Sequence, residues 1–279
     1  MKSATATTVF QIERFKRLLR AHWAEQRRSY ALFWLTVASL HALLMLIWLV
    51  ADHGKGGRTD AQAFVFWCGF IASGAVFAGL YFSALRKPGA ALILLTRPAA
   101  LLEKWLLAVL FVLIIWPLAY TISASVINLF ASTVGYQWHA AYNIAEDYSS
   151  MPEKQDYSLF IPLLKRPDSS PLWQIAILQL YTGITGFVLL GSLYFRKHTA
   201  IKTAITAFAL FLLTLLFVFV LDTMLDAEIQ LESLAWWSAD IKPRYDFFKM
   251  WLANILFWFV VPLLVWSCTL LALREKDLA

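Results

Sequence analysis

Six stretches of this chain contain no Asp, Glu, Lys or Arg: residues 29–51, 61–85, 105–132, 171–195, 203–221 and 250–273. Each is at least nineteen residues long. A helix rises about 1.5 Å per residue, so each is long enough to cross the roughly 30 Å of hydrocarbon in a bilayer. Inside lipid every backbone N–H and C=O must be paired within the spanning structure, which leaves only helices and closed barrels. A barrel strand alternates apolar and polar residues, whereas these runs are continuously apolar, so they predict helices. The composition agrees. The 279 residues are 60% hydrophobic, with thirteen Trp and twenty-one Phe, more than a soluble core of this length could hide. The expected fold is all-α: a polytopic membrane protein of six transmembrane helices.

The charges between the runs set the expected orientation. If the N-terminus, the span 2–3 loop, the span 4–5 loop and the C-terminus share one side, that side holds sixteen of the twenty-four basic residues and five of the eighteen acids. Basic residues concentrate on the cytoplasmic side of membrane proteins, which predicts a multi-pass protein of the inner, cytoplasmic membrane with both termini inside. The net charge of +6 is then a consequence of topology and argues against a nucleic-acid partner. Cys68 and Cys268 each fall within an apolar run, so neither a disulfide nor a metal site is suggested. The first run begins after twenty-eight residues and is long enough to span, which favours a retained helix over a cleaved leader.

Ahead of the first run, Ile12, Phe15, Leu18, Leu19 and Trp23 form one stripe on a 3.6-residue wheel, with Glu13, Arg14, Arg17 and Arg20 opposite. This pattern predicts an amphipathic helix lying along the inner membrane surface, its stripe in the acyl boundary and its arginines at anionic lipid headgroups. Residues 1–28 therefore read as a cytoplasmic N-terminus with an interface helix. Residues 29–279 read as the transmembrane domain, with outer segments at 133–170 and 222–249. Gly69, Ser73, Gly74, Ala78 and Gly79 place small residues at near four-residue spacing in the second run, a surface suited to close helix packing. Pro117 and Pro262 each remove a backbone donor inside a run and are expected to kink it. Trp138 and Trp173 fall near span ends, where indole rings anchor.

Catalytic chemistry is not expected in this chain. The six runs hold no charged side chain; their titratable imidazole is His41, which reads as a helix-packing or cavity-lining group, and Asn128 is among their neutral polar residues. No nucleotide-binding G-x-x-x-x-G-K-[ST], no H-E-x-x-H and no G-x-S-x-G occurs, so no cofactor is expected here. Work against a gradient would draw its energy from another polypeptide.

The segment between the second and third runs, Leu-Leu-Thr-Arg-Pro-Ala-Ala-Leu-Leu-Glu-Lys-Trp over residues 94–105, carries a resemblance. Together with the preceding amphipathic helix, the six spans and the long outer segment between spans 5 and 6, it resembles membrane subunits of ABC transporters, of the type-2 exporter permease class. The resemblance implies a short coupling helix that docks on a cytoplasmic ABC ATPase subunit, which would hold ATP and Mg. Arg97, Pro98, Ala100, Glu103 and Lys104 would then lie at or beside that surface. Ala100 departs from the pattern, since a Ser is frequent there, and its capping role would be absent. The resemblance further implies a second permease subunit, identical or similar, across a central path.

Two other classes of function compete with this reading. A non-transporting membrane scaffold or assembly factor would use the same topology and hold a partner with its outer segments. A membrane enzyme acting on lipid would need loop chemistry, for which His139, Glu146 and Asp147 are the outer candidates, at a spacing that matches no motif.

Overall fold

A computed structural model describes residues 10–82, 99–145, 151–162, 171–195, 202 and 256–278. Among the described residues the regular structure is helical and contains no β-strand. Helix α1 spans Ile12–Ala51, α2 Thr59–Tyr81, α3 Leu101–Leu110, α4 Trp116–Ala145, α5 Pro171–Tyr194 and α6 Val261–Leu278. Among the described residues five helical stretches are long and apolar enough to cross a membrane: Ile12–Ala51, Thr59–Tyr81, Leu101–Ala145, Trp173–Tyr194 and Trp258–Glu275. The sixth expected span, residues 203–221, lies outside the described residues, as does the outer segment 222–249.

Residues 12–28, expected as an interface helix, and residues 29–51, expected as the first span, form one uninterrupted helix of 40 residues, α1. From residue 12 to residue 51 there is neither Gly nor Pro, and nothing else in the backbone chemistry breaks a helix there. Residues 133–145 of the segment expected outside are helical and form the last turns of α4.

The chain divides into two compact units: residues 1–15, 75–109 and 170–279 form one, and residues 16–74 and 110–169 the other. In the second unit α1 buries a narrow stripe of His41, Met45 and Leu49, spaced one turn apart. The rest of its surface is apolar and exposed, with Leu32, Leu35, Leu46 and Ile47 each more than half accessible. α4 does the same: Tyr120, Ala124 and Asn128 face inward, while Leu118, Ile122, Val126 and Phe130 face outward. Water does not tolerate an apolar face this continuous, and hydrocarbon does. α1 and α4 run in the same direction. Phe33 meets Trp116, His41 meets Tyr120 and Asn128, and a Cβ on Gly135 would touch Leu49.

The end of this unit is a crossing of backbones. The turn after α1 takes Gly54 through φ 89°, a left-handed conformation that glycine adopts without penalty. It leads into a short 3-10 turn, Lys55–Gly57, that packs against α4. A Cβ on Gly57 would lie 2.5 Å from Ala131 O, and one on Gly135 would lie 2.7 Å from Gly54 O. Residues 151–162 fold over the start of α2. Thr59 Oγ1 donates towards the carbonyls of Asp156 and Ser158 at 2.9 and 2.8 Å, and the Gln62 amide spans from Gly57 O at 2.8 Å to the Phe160 N–H at 3.0 Å.

In the first unit α5 and α6 also run parallel. Trp266 Nε1 donates to Thr182 O at 3.0 Å, Gly186 faces Val265 and Trp266, and further along both helices Tyr194 reaches Glu275. The same local form lies ahead of both prolines that were expected to kink their helices. A π-helical turn, Phe111–Ile115, ends two residues before Pro117, and another, Leu256–Val260, ends two residues before Pro262. A proline inside a helix leaves the carbonyl one turn back without its N–H and presses its ring on that turn, and the extra residue of a π turn relieves both.

Candidate functional site at the start of the third helix

Glu103 stands in the first turn of α3, completely shielded from solvent. Its carboxylate gathers four donor contacts. Arg14 Nε approaches Oε2 at 2.6 Å and Oε1 at 2.9 Å. The Gln11 N–H donates to Oε1 at 3.0 Å and the Ala100 N–H to Oε2 at 3.0 Å.

The two backbone donors define the geometry. Gln11 immediately precedes α1 and its carbonyl accepts from Phe15, while Ala100 immediately precedes α3 and its carbonyl accepts from Glu103 and Lys104. Both residues are therefore N-caps, and the amino ends of helices leave N–H groups without intrahelical partners. In a capping box the third helical residue, Glu, reaches back to the N-cap N–H while a Ser or Thr N-cap bonds forward. Here Glu103 makes the backward bond, and Ala100 has no side-chain oxygen for the forward one. The same carboxylate caps α1 as well. One negative charge thus sits at the positive ends of two helix dipoles and is paired with a guanidinium.

Two of the residues expected at or beside a docking surface stand within this arrangement. Glu103 is consumed inside the chain and Lys104 is buried, so neither presents its side chain as a free contact. Ala100 is half-buried at the cap, and Arg97 and Pro98 lie outside the described residues. Along the amphipathic stripe Leu18 is buried, Phe15 and Leu19 are half-buried, and Ile12 and Trp23 are about half exposed. The small residues of α2 pack unevenly. A Cβ on Gly69 would collide with the Tyr120 hydroxyl, Ser73 bonds back to Phe70 O at 3.4 Å, Gly74 and Ala78 are buried, and Gly79 faces Val188.

A second polar cluster lies among α1, α2 and α4. His41 Nδ1 is 3.1 Å from the Tyr120 hydroxyl, which donates to Phe66 O at 3.1 Å, and His41 Nε2 is 3.1 Å from Asn128 Oδ1. All three side chains are shielded from solvent. Sequence patterning marks His41 and Asn128 as polar residues in spans, but only the parallel register of α1 and α4 brings them together. Glu103 is legible in sequence as a charged residue near a proline, and its doubled capping role is not, because the second cap belongs to a segment 92 residues away.

At the opposite end of α4, His139 Nδ1 lies 2.7 Å from the Tyr157 hydroxyl. Burial pushes the Tyr157 phenol up to about 12; Arg58 pulls against that shift, and the nearby Asp156 and Asp52 add to it. His53 stacks on Tyr142. Glu146 and Asp147, the partners considered for His139, lie outside the described residues. Among the described residues no group of His, Cys, Asp or Glu is arranged to hold a metal ion.

These features define a class of protein: among the described residues the regular structure is all α-helical, and its five long apolar helices suit a multi-pass membrane protein. Compared with protein-family models, curated proteins and solved structures, the chain matches none of them.

Proposed function

We propose that this chain is the membrane-spanning permease subunit of an ATP-driven transporter, an exporter energised by a separate cytoplasmic ATPase subunit and paired with a second permease. The observation that carries the reading is the Glu103 junction. A subunit without its own nucleotide site must receive work from outside, and it can use that work only if the point of contact is rigidly joined to the spans. Glu103 joins the end of the 94–105 segment to both the amino end of α1 and the start of α3. Force applied to that segment is therefore shared by two helices rather than absorbed by a loop. In this reading Glu103 and Lys104 hold the start of α3 beside the docking segment.

Six spans with both termini in the cytoplasm follow from the same reading. Neighbouring helices that cross in the same direction need an odd number of crossings between them, and α5 and α6 are parallel. Residues 203–221 form the one uncharged run of spanning length in that interval, which supports a single returning span. The basic N-terminal turns of α1 then extend along or beyond the inner lipid headgroups.

The test is affinity purification of the tagged, full-length protein from its own membranes, in mild detergent, with the bound proteins identified by mass spectrometry. The expected result is a stoichiometric partner carrying a G-x-x-x-x-G-K-[ST] motif, whose ATPase rate changes on reconstitution with this chain. Quantitative recovery of the chain with no nucleotide-binding partner would overturn the proposal.

A further inference from the structure

One pattern occurs twice along the chain. The apolar runs begin at residues 29, 61 and 105 and again at 171, 203 and 250, so the second set follows the first after 142, 142 and 145 residues. Spacing this regular between long segments is how an internal repeat shows itself. The third run of each set carries the same local features. Leu107-Ala108 and Pro117-Leu118 recur 145 residues later as Leu252-Ala253 and Pro262-Leu263. The π turns Phe111–Ile115 and Leu256–Val260 are separated by the same 145 residues.

The pairing of helices repeats as well. In one unit the helices of the first and third runs are parallel, and His41 of α1 meets Tyr120 and Asn128 of α4, 79 and 87 residues on. The helix between them runs back, since Phe64 of α2 meets Trp48 and Gly69 faces His41. In the other unit α5 and α6, from the fourth and sixth runs, are parallel. Trp266 there meets Thr182 and Glu275 meets Tyr194, at separations of 84 and 81 residues. Helices adjacent in a chain ordinarily pack antiparallel, so a parallel pair made by skipping one run is a specific choice. It is made in both sets, at nearly the same distance along the chain.

We propose that residues 29–132 and 171–273 are two copies of one three-helix plan inserted in opposite directions, an inverted repeat, and that each copy bends at the π turn of its third helix. The opposite direction rests on the six-crossing reading above: three crossings, an odd number, separate the start of one copy from the start of the other. Pro117 and Pro262 each stand twelve residues after the start of their run. At about 1.5 Å per residue that is about 18 Å into a layer roughly 30 Å thick, entered from opposite faces, so both joints fall near the midplane. The missing proline N–H weakens the hydrogen-bond ladder one turn back, which is where a helix bends at least cost. In transporters built as inverted repeats, access alternates between the two faces of the membrane as one half moves against the other. Two like joints near the midplane, one in each copy, give this chain the means for such a motion.

Two measurements on the full-length protein test the two parts. Lys55 and Lys197 lie 142 residues apart, each in the link after the first helix of its copy. In a C68S/C268S background, K55C should react with an impermeant maleimide added outside intact cells, and K197C only after permeabilisation; labelling of both from one side overturns the inversion. In nanodiscs, hydrogen exchange of residues 107–116 and 252–261 should be faster than that of the turns after the prolines, 118–126 and 263–271. P117A restores a donor and should slow its own turn by about fivefold, the protection of about one backbone hydrogen bond, and P262A should slow the other alike. Any result short of both turns exchanging faster, and both responding, overturns the paired joints. Should either variant not fold, the wild-type comparison decides. Neither measurement involves a nucleotide-binding partner, so failure here is distinct from failure of the permease reading.

Discussion

Glu103 shows how far one side chain can be from the role its neighbours in sequence suggest. A charged residue at the start of a span reads as an exposed edge, yet this carboxylate closes the N-termini of two helices and neutralises Arg14. Replacing it with alanine removes both caps, each worth about 1 kcal/mol, and takes this acceptor away from Arg14. E103A should lower Tm and loosen the start of α1 to hydrogen exchange. E103Q retains an acceptor for one cap and loses the charge, so it should fall between E103A and wild type; exchange of residues 11–15 that is unchanged in both variants would contradict the shared cap. Tyr157 offers a pH test of the opposite end. Its folded value, about 12, lies above the ordinary phenol near 10, so the neutral form is favoured by folding. The stabilisation is complete below about pH 10 and is lost as pH rises through about 12. Difference absorbance of wild type against Y157F should show a phenol titrating above about pH 11, and a normal titration near 10 would mean that the ring is not buried as the structure has it.

At the scale of elements, the cost of replacing a glycine depends on what its added methyl would meet. Gly135 in α4 lies against Gly54 and Gly57 of the turn after α1, and the nearest atoms a methyl would meet are backbone. They cannot rotate away. G135A should destabilise by about 1–3 kcal/mol, the usual cost of overpacking. Gly183 in α5 is the contrast: its added methyl would find Pro262 at 3.9 Å, an ordinary contact. G183A should be neutral or stabilising by up to about 1 kcal/mol, because alanine is the better helix former. Thermal unfolding of the two variants side by side checks both, and equal loss of Tm would show that small residues act here only by number. The two π turns carry the same lesson about prolines. Sequence marks Pro117 and Pro262 as kink sites, and the structure places a π turn, one extra residue wound in, ahead of each.

For the whole molecule, the parallel register of α5 with α6 makes a prediction about sidedness. Single cysteines placed at Ser170 and at Asp240, in a C68S/C268S background, should both react with a membrane-impermeant maleimide added from outside intact cells. One placed at Lys197 should react only after permeabilisation. Labelling of the K197C variant from outside would reverse the orientation and with it the proposed docking side.

How much of this was readable in advance follows from which forces act locally. Hydrophobic length and the absence of helix breakers are properties of short windows, and they determined that the described part of the chain is helical and where its five long apolar helices lie. They could not show that α1 would run unbroken into its first span as one element, although the lack of Gly and Pro between residues 12 and 51 was visible. Pairing across long separations was decided by tertiary structure alone. The carboxylate of Glu103 finds Gln11 and Arg14, 92 and 89 residues away, and His41 finds Tyr120 and Asn128 on a helix running the same way. In a low-dielectric interior a polar group must have a partner, but its own neighbourhood in the chain does not say which one; only the register in which the helices pack does.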